Sequence, residues 1–158
     1  MQTMKTRSGG GPLGVMTTLY QMHYRSLVRL AALLVSDLAT AEDIVQDAFA
    51  AAHDMWDALP DTDTDTDAAL CYLRRSVVRR SRSASRAQLT DVPLQDSAVM
   101  SALWALPVRQ REVLVLLYFA DLPEAEIASA TGISRAAVRS HAAQAMSSLH
   151  AELRPAGE

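Results

Sequence analysis

Residues 122–149, LPEAEIASATGISRAAVRSHAAQAMSSL, constrain the fold more than any other part of this 158-residue chain. The stretch reads as a helix-turn-helix, whose second helix is shaped to lie in the major groove of duplex DNA. Ile127 and Ala128 sit on the first helix, where the small side chain at 128 lets two helices cross closely. Gly132 stands at the turn, which needs a left-handed backbone that glycine adopts without steric cost. Ser134 is placed to cap the second helix, whose inward face carries Ala137, Val138 and His141. Ser134, Arg135, Arg139 and Ser140 then face the groove. Arginine bonds guanine bidentately, while serine and backbone N–H groups fix phosphates. His141 either joins them or packs at the helix junction.

The remainder of the chain reads as further helices. Aromatic residues are only 5% of the chain and alanine is abundant, so few segments have strand character. A first helix is predicted from about Met16 to Val35, with Met16, Leu19, Tyr20, His23, Leu27, Leu30, Ala31 and Leu34 at helical steps. Ser36-Asp37 interrupts it, and Thr40 is predicted to cap a second helix with Glu42 and Asp43 in its first turn. Val45, Ala48, Phe49, Ala52, Met55 and Trp56 form its inner face. A third helix runs from about Ala68 to Ser85, with Leu70, Leu73 and Val77 inward. Beyond a polar stretch containing Pro93, a short helix carries Val99, Ala102, Leu103 and Leu106 and stops at Pro107. Another carries Val113, Leu114, Leu116, Leu117 and Phe119.

Charge is segregated along the chain. The net charge is −3, which argues against a uniformly basic nucleic-acid binder. Residues 61–67, DTDTDTD, hold four Asp, whereas residues 68–90 hold six Arg and no acid. Arg75, Arg79, Arg82 and Arg86 recur at helical spacing on one face of the third helix, an arrangement suited to phosphate contact. Asp43, Gln46 and Asp47 form a polar stripe on the second helix, opposite its apolar face.

Several functions are disfavoured. Cys71 is the single cysteine, so no intrachain disulfide forms and the sequence suits a reducing cytoplasm. No apolar run approaches the roughly 18–20 residues needed to span a membrane. The start of the chain, MQTMKTRSGGGPLG, has no hydrophobic stretch and reads as a flexible tail rather than a secretion signal. Asp61, Asp63 and Asp65 imitate a calcium loop, but Thr66 and Tyr72 stand where it requires Gly and Glu. His23, His53, His141 and His150 show no metal-ligand spacing with Cys71. No metal, cofactor or enzymatic role is expected.

Two blocks of the chain together carry a family resemblance. The segments LYQMHYRSLVRLAALL and AEDIVQDAFAAAHDMW, followed by ALPVRQREVLVLLYFADLPEAEIASATGISRAAVRSHAAQAMSSL, occur in the order and spacing of an extracytoplasmic-function sigma factor of actinobacterial type. The likeness covers about residues 17–153. The resemblance implies an all-α protein of two small helical domains: a region 2-like domain over 16–86 and a region 4-like helix-turn-helix domain over 97–153. A flexible linker over 87–96 would join them, with tails at 1–15 and 154–158. It further implies binding to core RNA polymerase and to promoter DNA. Region 2 would recognise and melt the −10 element and region 4 would read the −35 element, with an anti-sigma factor as a possible partner. Asp43, Gln46 and Asp47 match positions that dock on polymerase, and the third-helix arginines fall in the −10-binding part.

The chain departs from the family pattern at four places. The loop ALPDTDTDTDAAL is acidic where the family places its base-capturing loop; it either holds a flipped base without phosphate contacts or is a spacer. Arg79 stands where an Asn is usual, Gln144 stands near a common Arg, and Tyr72 is the sole aromatic of the third helix. The alternatives are a sigma-like regulator that binds polymerase or another protein without reading promoters, and a response-regulator-type transcription factor.

Overall fold

The computed structural model describes residues 12–35, 37–55, 66–87 and 98–155. These form seven helices: α1 (Pro12–Val35), α2 (Leu38–Asp54), α3 (Thr66–Ala87), α4 (Ala98–Ala105), α5 (Val108–Tyr118), α6 (Glu124–Thr131) and α7 (Arg135–Glu152). No strand occurs among the described residues. None of the described helices is long and apolar enough to cross a membrane.

Local chemistry sets where the helices begin and end. The Asp37 carboxylate accepts from the Thr40 backbone N–H at 2.9 Å and so caps α2. Thr40 was the expected cap; it instead lies inside the helix, its hydroxyl bonded to the same carboxylate. Glu42 and Asp43 therefore fall beyond the first turn. Pro107 and Pro123 precede α5 and α6, positions where a fixed φ and a missing N–H do no harm. Gly132 ends α6 at φ 72°, in the left-handed region, and Ser134 caps α7 by accepting from the Ala137 N–H at 3.1 Å.

Helices α1, α2 and α3 pack against one another, and α5, α6 and α7 form a second group with α4 against α7. Each buries its apolar stripe: Leu19, Val45, Leu73 and Val77 in the first group, Val113, Leu116, Ile127 and Val138 in the second. Full burial of one such side chain contributes about 1.5–3 kcal/mol. The two groups do not stand apart. α3 lies against α6 and α1 against α5, and the buried side chains make one continuous cluster through both groups.

Several expectations are corrected. Residues 12–15, assigned to a flexible tail, are the first turn of α1, and Ala87, assigned to the linker, is the last residue of α3. Met55, expected on the inner face of α2, is 47% exposed, and Val99 and Phe119, read as markers of apolar helices, are 55% and 45% exposed. Met55 and Phe119 fall just beyond the ends of α2 and α5, where the helical stripe no longer meets a neighbour. Val99 lies in the first turn of α4, before the helix turns Ala102 and Leu103 to the core. Trp56, the acidic residues 61–65 and the linker over 88–96 lie outside the described residues.

Candidate nucleic-acid interface

α6 and α7 form the expected helix-turn-helix. Ile127 and Val138 are fully buried and pin the two helices together, and the Thr131 hydroxyl bonds back to the Ile127 carbonyl at 2.6 Å. Arg135 and Ser140 are exposed on the outer face of α7. Ser134 accepts from Ala137 with one lone pair, so its O–H proton is still available to a phosphate. Arg139 extends over the surface to Glu124 of α6 at 3.2 Å, with 65% of its side chain exposed. Such an exposed pair holds by about 0–1 kcal/mol and opens readily for a stronger acceptor. His141 turns the other way. It is half-buried, and its Nδ1 is enclosed with no hydrogen-bond partner among the described residues. Packing, rather than reach toward a groove, is its part here. Gln144 bonds Gln110 of α5 at 3.2 Å, tying the later part of the recognition helix to its support.

A second site lies between α2 and α3. A groove of about 660 Å³ is lined by Ile44, Asp47 and Met55 from α2 and its end, and by Tyr72, Arg75, Ser76, Arg79, Arg80 and Ser83 from α3. The Tyr72 hydroxyl donates to the Met55 sulfur at 3.2 Å, which holds the ring edge in place. The groove thus brings apolar side chains and an aromatic ring together with three cations. That combination suits an unpaired nucleotide, whose base stacks while its phosphate is neutralised. Arg80 was not singled out from the sequence, although it directly follows Arg79; its Nε bonds the Ser76 hydroxyl at 3.2 Å. Asp43, Gln46 and Asp47 are all exposed on α2, and Asp47 also lines the groove.

The four arginines expected to share one free face are divided. Arg79 is exposed on the groove. Arg75 reaches across to the Ser129 hydroxyl of α6. Arg82 turns into the seam between the two helix groups, with only 18% of its side chain exposed. There it forms a fork with Glu112 of α5: Nε to Oε1 at 2.9 Å and Nη2 to Oε2 at 3.0 Å. The Arg86 side chain lies outside the described part of the structure.

Glu112 is 2% exposed and has a second cation, Arg109, whose Nη1 lies 3.6 Å from Oε2. Arg109 also donates to the Thr131 carbonyl at 2.6 Å, and Arg82 reaches that carbonyl at 3.4 Å. Two guanidinium groups therefore meet the negative end of the α6 dipole. Removing one member of such a buried pair costs about 3–5 kcal/mol, because a charge is left without a partner. Arg74 and Glu126, 3.7 Å apart and partly exposed, add far less. Nearby, Arg111 stacks over the Trp104 ring at 4.3 Å and donates to the Trp104 carbonyl at 3.2 Å. Burial pulls its guanidinium below the ordinary arginine value, and the Glu112 charge opposes that.

Comparison with known proteins gives this geometry a family. The sigma-70 region 2 family matches residues 19–89, and the sigma-70 region 4 family matches residues 96–149. Over 83% of its length the chain is 32% identical to the ECF RNA polymerase sigma factor SigM of Mycobacterium tuberculosis, of which it covers 73%. The chain belongs to the extracytoplasmic-function sigma factors. The sigma factor is also 29% identical to the RNA polymerase sigma-E factor of Streptomyces coelicolor, over 81% of this chain and 80% of that one. It is 30% identical to the sigma factor NccH of Alcaligenes xylosoxydans, over 96% and 94%. In fold it is similar to CnrH, solved with the cytosolic domain of CnrY, at a TM-score of 0.70 and 26% identity over 91% and 90% of the two chains. It is similar in fold also to RpoE of Bartonella quintana, solved with the anti-sigma factor NepR, at a TM-score of 0.67 and 21% identity over 89% and 98%. The sigma factor carries region 2 in α1–α3 and a DNA-binding region 4 in α4–α7, and it directs promoter-specific transcription initiation.

Proposed function

We propose that this sigma factor divides its work among three surfaces, with region 2 over residues 16–86 and region 4 over residues 97–153. The α2 stripe of Asp43, Gln46 and Asp47 docks on core RNA polymerase; all three are exposed among the described residues. The α2–α3 groove takes an unpaired promoter nucleotide, its base on Tyr72 and Met55 and its phosphate on Arg79 and Arg80. Arg75 and Arg82 extend this cationic track once α6 and α5, which hold them, have moved away. Ser134, Arg135, Arg139 and Ser140 read duplex DNA from the outer face of α7.

The groove carries the reading, because three arginines share its lining with Ile44, Met55 and Tyr72, and Asp47 is the one acid among the lining residues. An Arg at 79, in place of the usual Asn, shifts the site from base edges toward phosphates. The sigma factor works in the cytoplasm beside polymerase. An anti-sigma protein is its natural regulator; RpoE was solved with the anti-sigma factor NepR, and CnrH with the cytosolic domain of CnrY.

Run-off transcription on genomic fragments with core polymerase tests the whole reading, and specific start sites are expected. Polymerase binding without starts would replace it with a regulator that does not read promoters. Asp47→Arg should weaken core binding in a pull-down while leaving the circular dichroism spectrum intact. Arg135→Ala with Arg139→Ala should abolish transcription that depends on the upstream element; full activity would remove α7 from the reading.

A further inference from the structure

The seam between the two halves is closed with the same guanidinium groups that the DNA track requires. Three arginines of α3 are engaged from the far side: Arg74 by Glu126, Arg75 by Ser129, and Arg82 by Glu112 and the Thr131 carbonyl. Arg79 and Arg80 alone among the described α3 arginines turn to the groove without a partner from region 4.

We propose that Glu112, backed by Arg109, is an autoinhibitory latch that holds Arg82 and keeps region 4 folded onto region 2 in the free protein. The proposal rests on the reading of the α3 arginines as DNA contacts. Its core is competition between like acceptors. A carboxylate and a phosphate each offer a pair of anionic oxygens to the planar guanidinium fork, so Glu112 and a DNA backbone exclude each other at Arg82. Closure and pairing are coupled. Glu112 is almost fully enclosed while the halves are together, and there it needs Arg82; once they part, water replaces that partner.

The Thr131 carbonyl gives the latch its address. It closes the last turn of the first helix of the helix-turn-helix and accepts from arginines of both halves. Arg82 therefore grips the DNA-reading unit itself rather than a neutral surface. Released by polymerase, which needs the two halves on separate promoter elements, the latch frees Arg75 and Arg82 together.

The single cysteine reports the state of the seam. Cys71 lines a cleft of about 40 Å³ with Arg74, Arg75, Leu122, Glu126, Ser129 and Ala130. Burial pushes its thiol above the ordinary value, and the Glu126 charge adds to that. Cys71 is exposed at this cleft in the closed form, and opening removes the Glu126 charge from beside it, which favours the thiolate and speeds alkylation.

The test uses the full chain without polymerase. Glu112→Gln removes the latch charge, and Ser129→Arg sets a cation against Arg75 from an exposed position that no core contact needs. Both variants should show a larger radius of gyration by small-angle scattering. Glu112→Gln should also alkylate faster with iodoacetamide at Cys71. It should bind a labelled dodecameric oligothymidylate roughly tenfold more tightly, as for a free protein about nine-tenths closed. If circular dichroism shows Glu112→Gln misfolded, the scattering of Ser129→Arg decides. An unchanged radius in every folded variant overturns the latch. Arg79→Ala, outside the seam, separates this from the reading beneath it. Lost oligonucleotide binding in Arg79→Ala with no gain in an expanded Glu112→Gln overturns the latch alone. Unchanged binding in Arg79→Ala overturns the arginine track.

Discussion

Gly132 shows how one residue sets the geometry of the DNA-reading unit. Its φ of 72° lies where a Cβ is strained, yet a Cβ there meets no atom within 4 Å. Gly132→Ala therefore tests backbone strain alone and should cost about 1–2 kcal/mol. Calorimetry should register a fall in Tm of roughly 2–4 °C per kcal/mol for a chain of this size. Glu124 makes the opposite point. Its carboxylate sits 3.2 Å from Arg139, on the surface offered to phosphates. Glu124→Gln should tighten duplex binding by about two- to fivefold, the worth of one exposed pair. Fluorescence anisotropy at low salt measures this, and the gain should fade as salt screens the charges.

At the scale of the element, α2 is held at its start by one side chain. Thr40 bonds drive the Asp37 carboxyl below its ordinary value, the hydroxyl contributing most and the backbone N–H next. The folded state thus prefers the ionised cap. Its stabilisation is present above the unfolded carboxylate value and is lost as pH falls through the lower folded value. Asp37→Ala should lower Tm at neutral pH, and the gap from the parent protein should close as titration protonates Asp37.

The elements were also where the sequence was most legible. Apolar stripes of period 3.6 located α1, α3 and the helix-turn-helix to within a few residues, because each stripe faces neighbours close in sequence. Caps were less legible. Asp37 and Thr40 are both good N-cap residues, and only the backbone at Asp37, φ −127° and ψ 123°, decides between them. The stripes that reach Met55 and Phe119 run past the helix ends, and Val99 precedes the part of α4 that meets the core.

The whole molecule differs most from what its sequence suggests. Two halves were legible, but not their union. Arg82 and Glu112 are 30 positions apart, and nothing local marks either for the other. Arg82 has the spacing of a phosphate-binding residue, and only the fold reveals that a carboxylate already fills its fork. Groove residues shared this limit: Arg79 was visible as a surface cation, whereas Ile44 and Met55 come from α2 and its end. Because one apolar cluster runs through both halves, thermal unfolding should be a single transition with calorimetric and van't Hoff enthalpies in agreement. Two resolved transitions would show that the seam does not couple them.

The seam also imposes an order on synthesis. α3 is complete at Ala87, whereas Glu112 and Glu126, the acids that meet its arginines, follow about 25–40 residues later. At about 5–20 residues per second the ribosome takes a few seconds to bridge that gap. For that interval the nascent chain presents an uncovered basic helix beside ribosomal RNA, the densest polyanion in its surroundings.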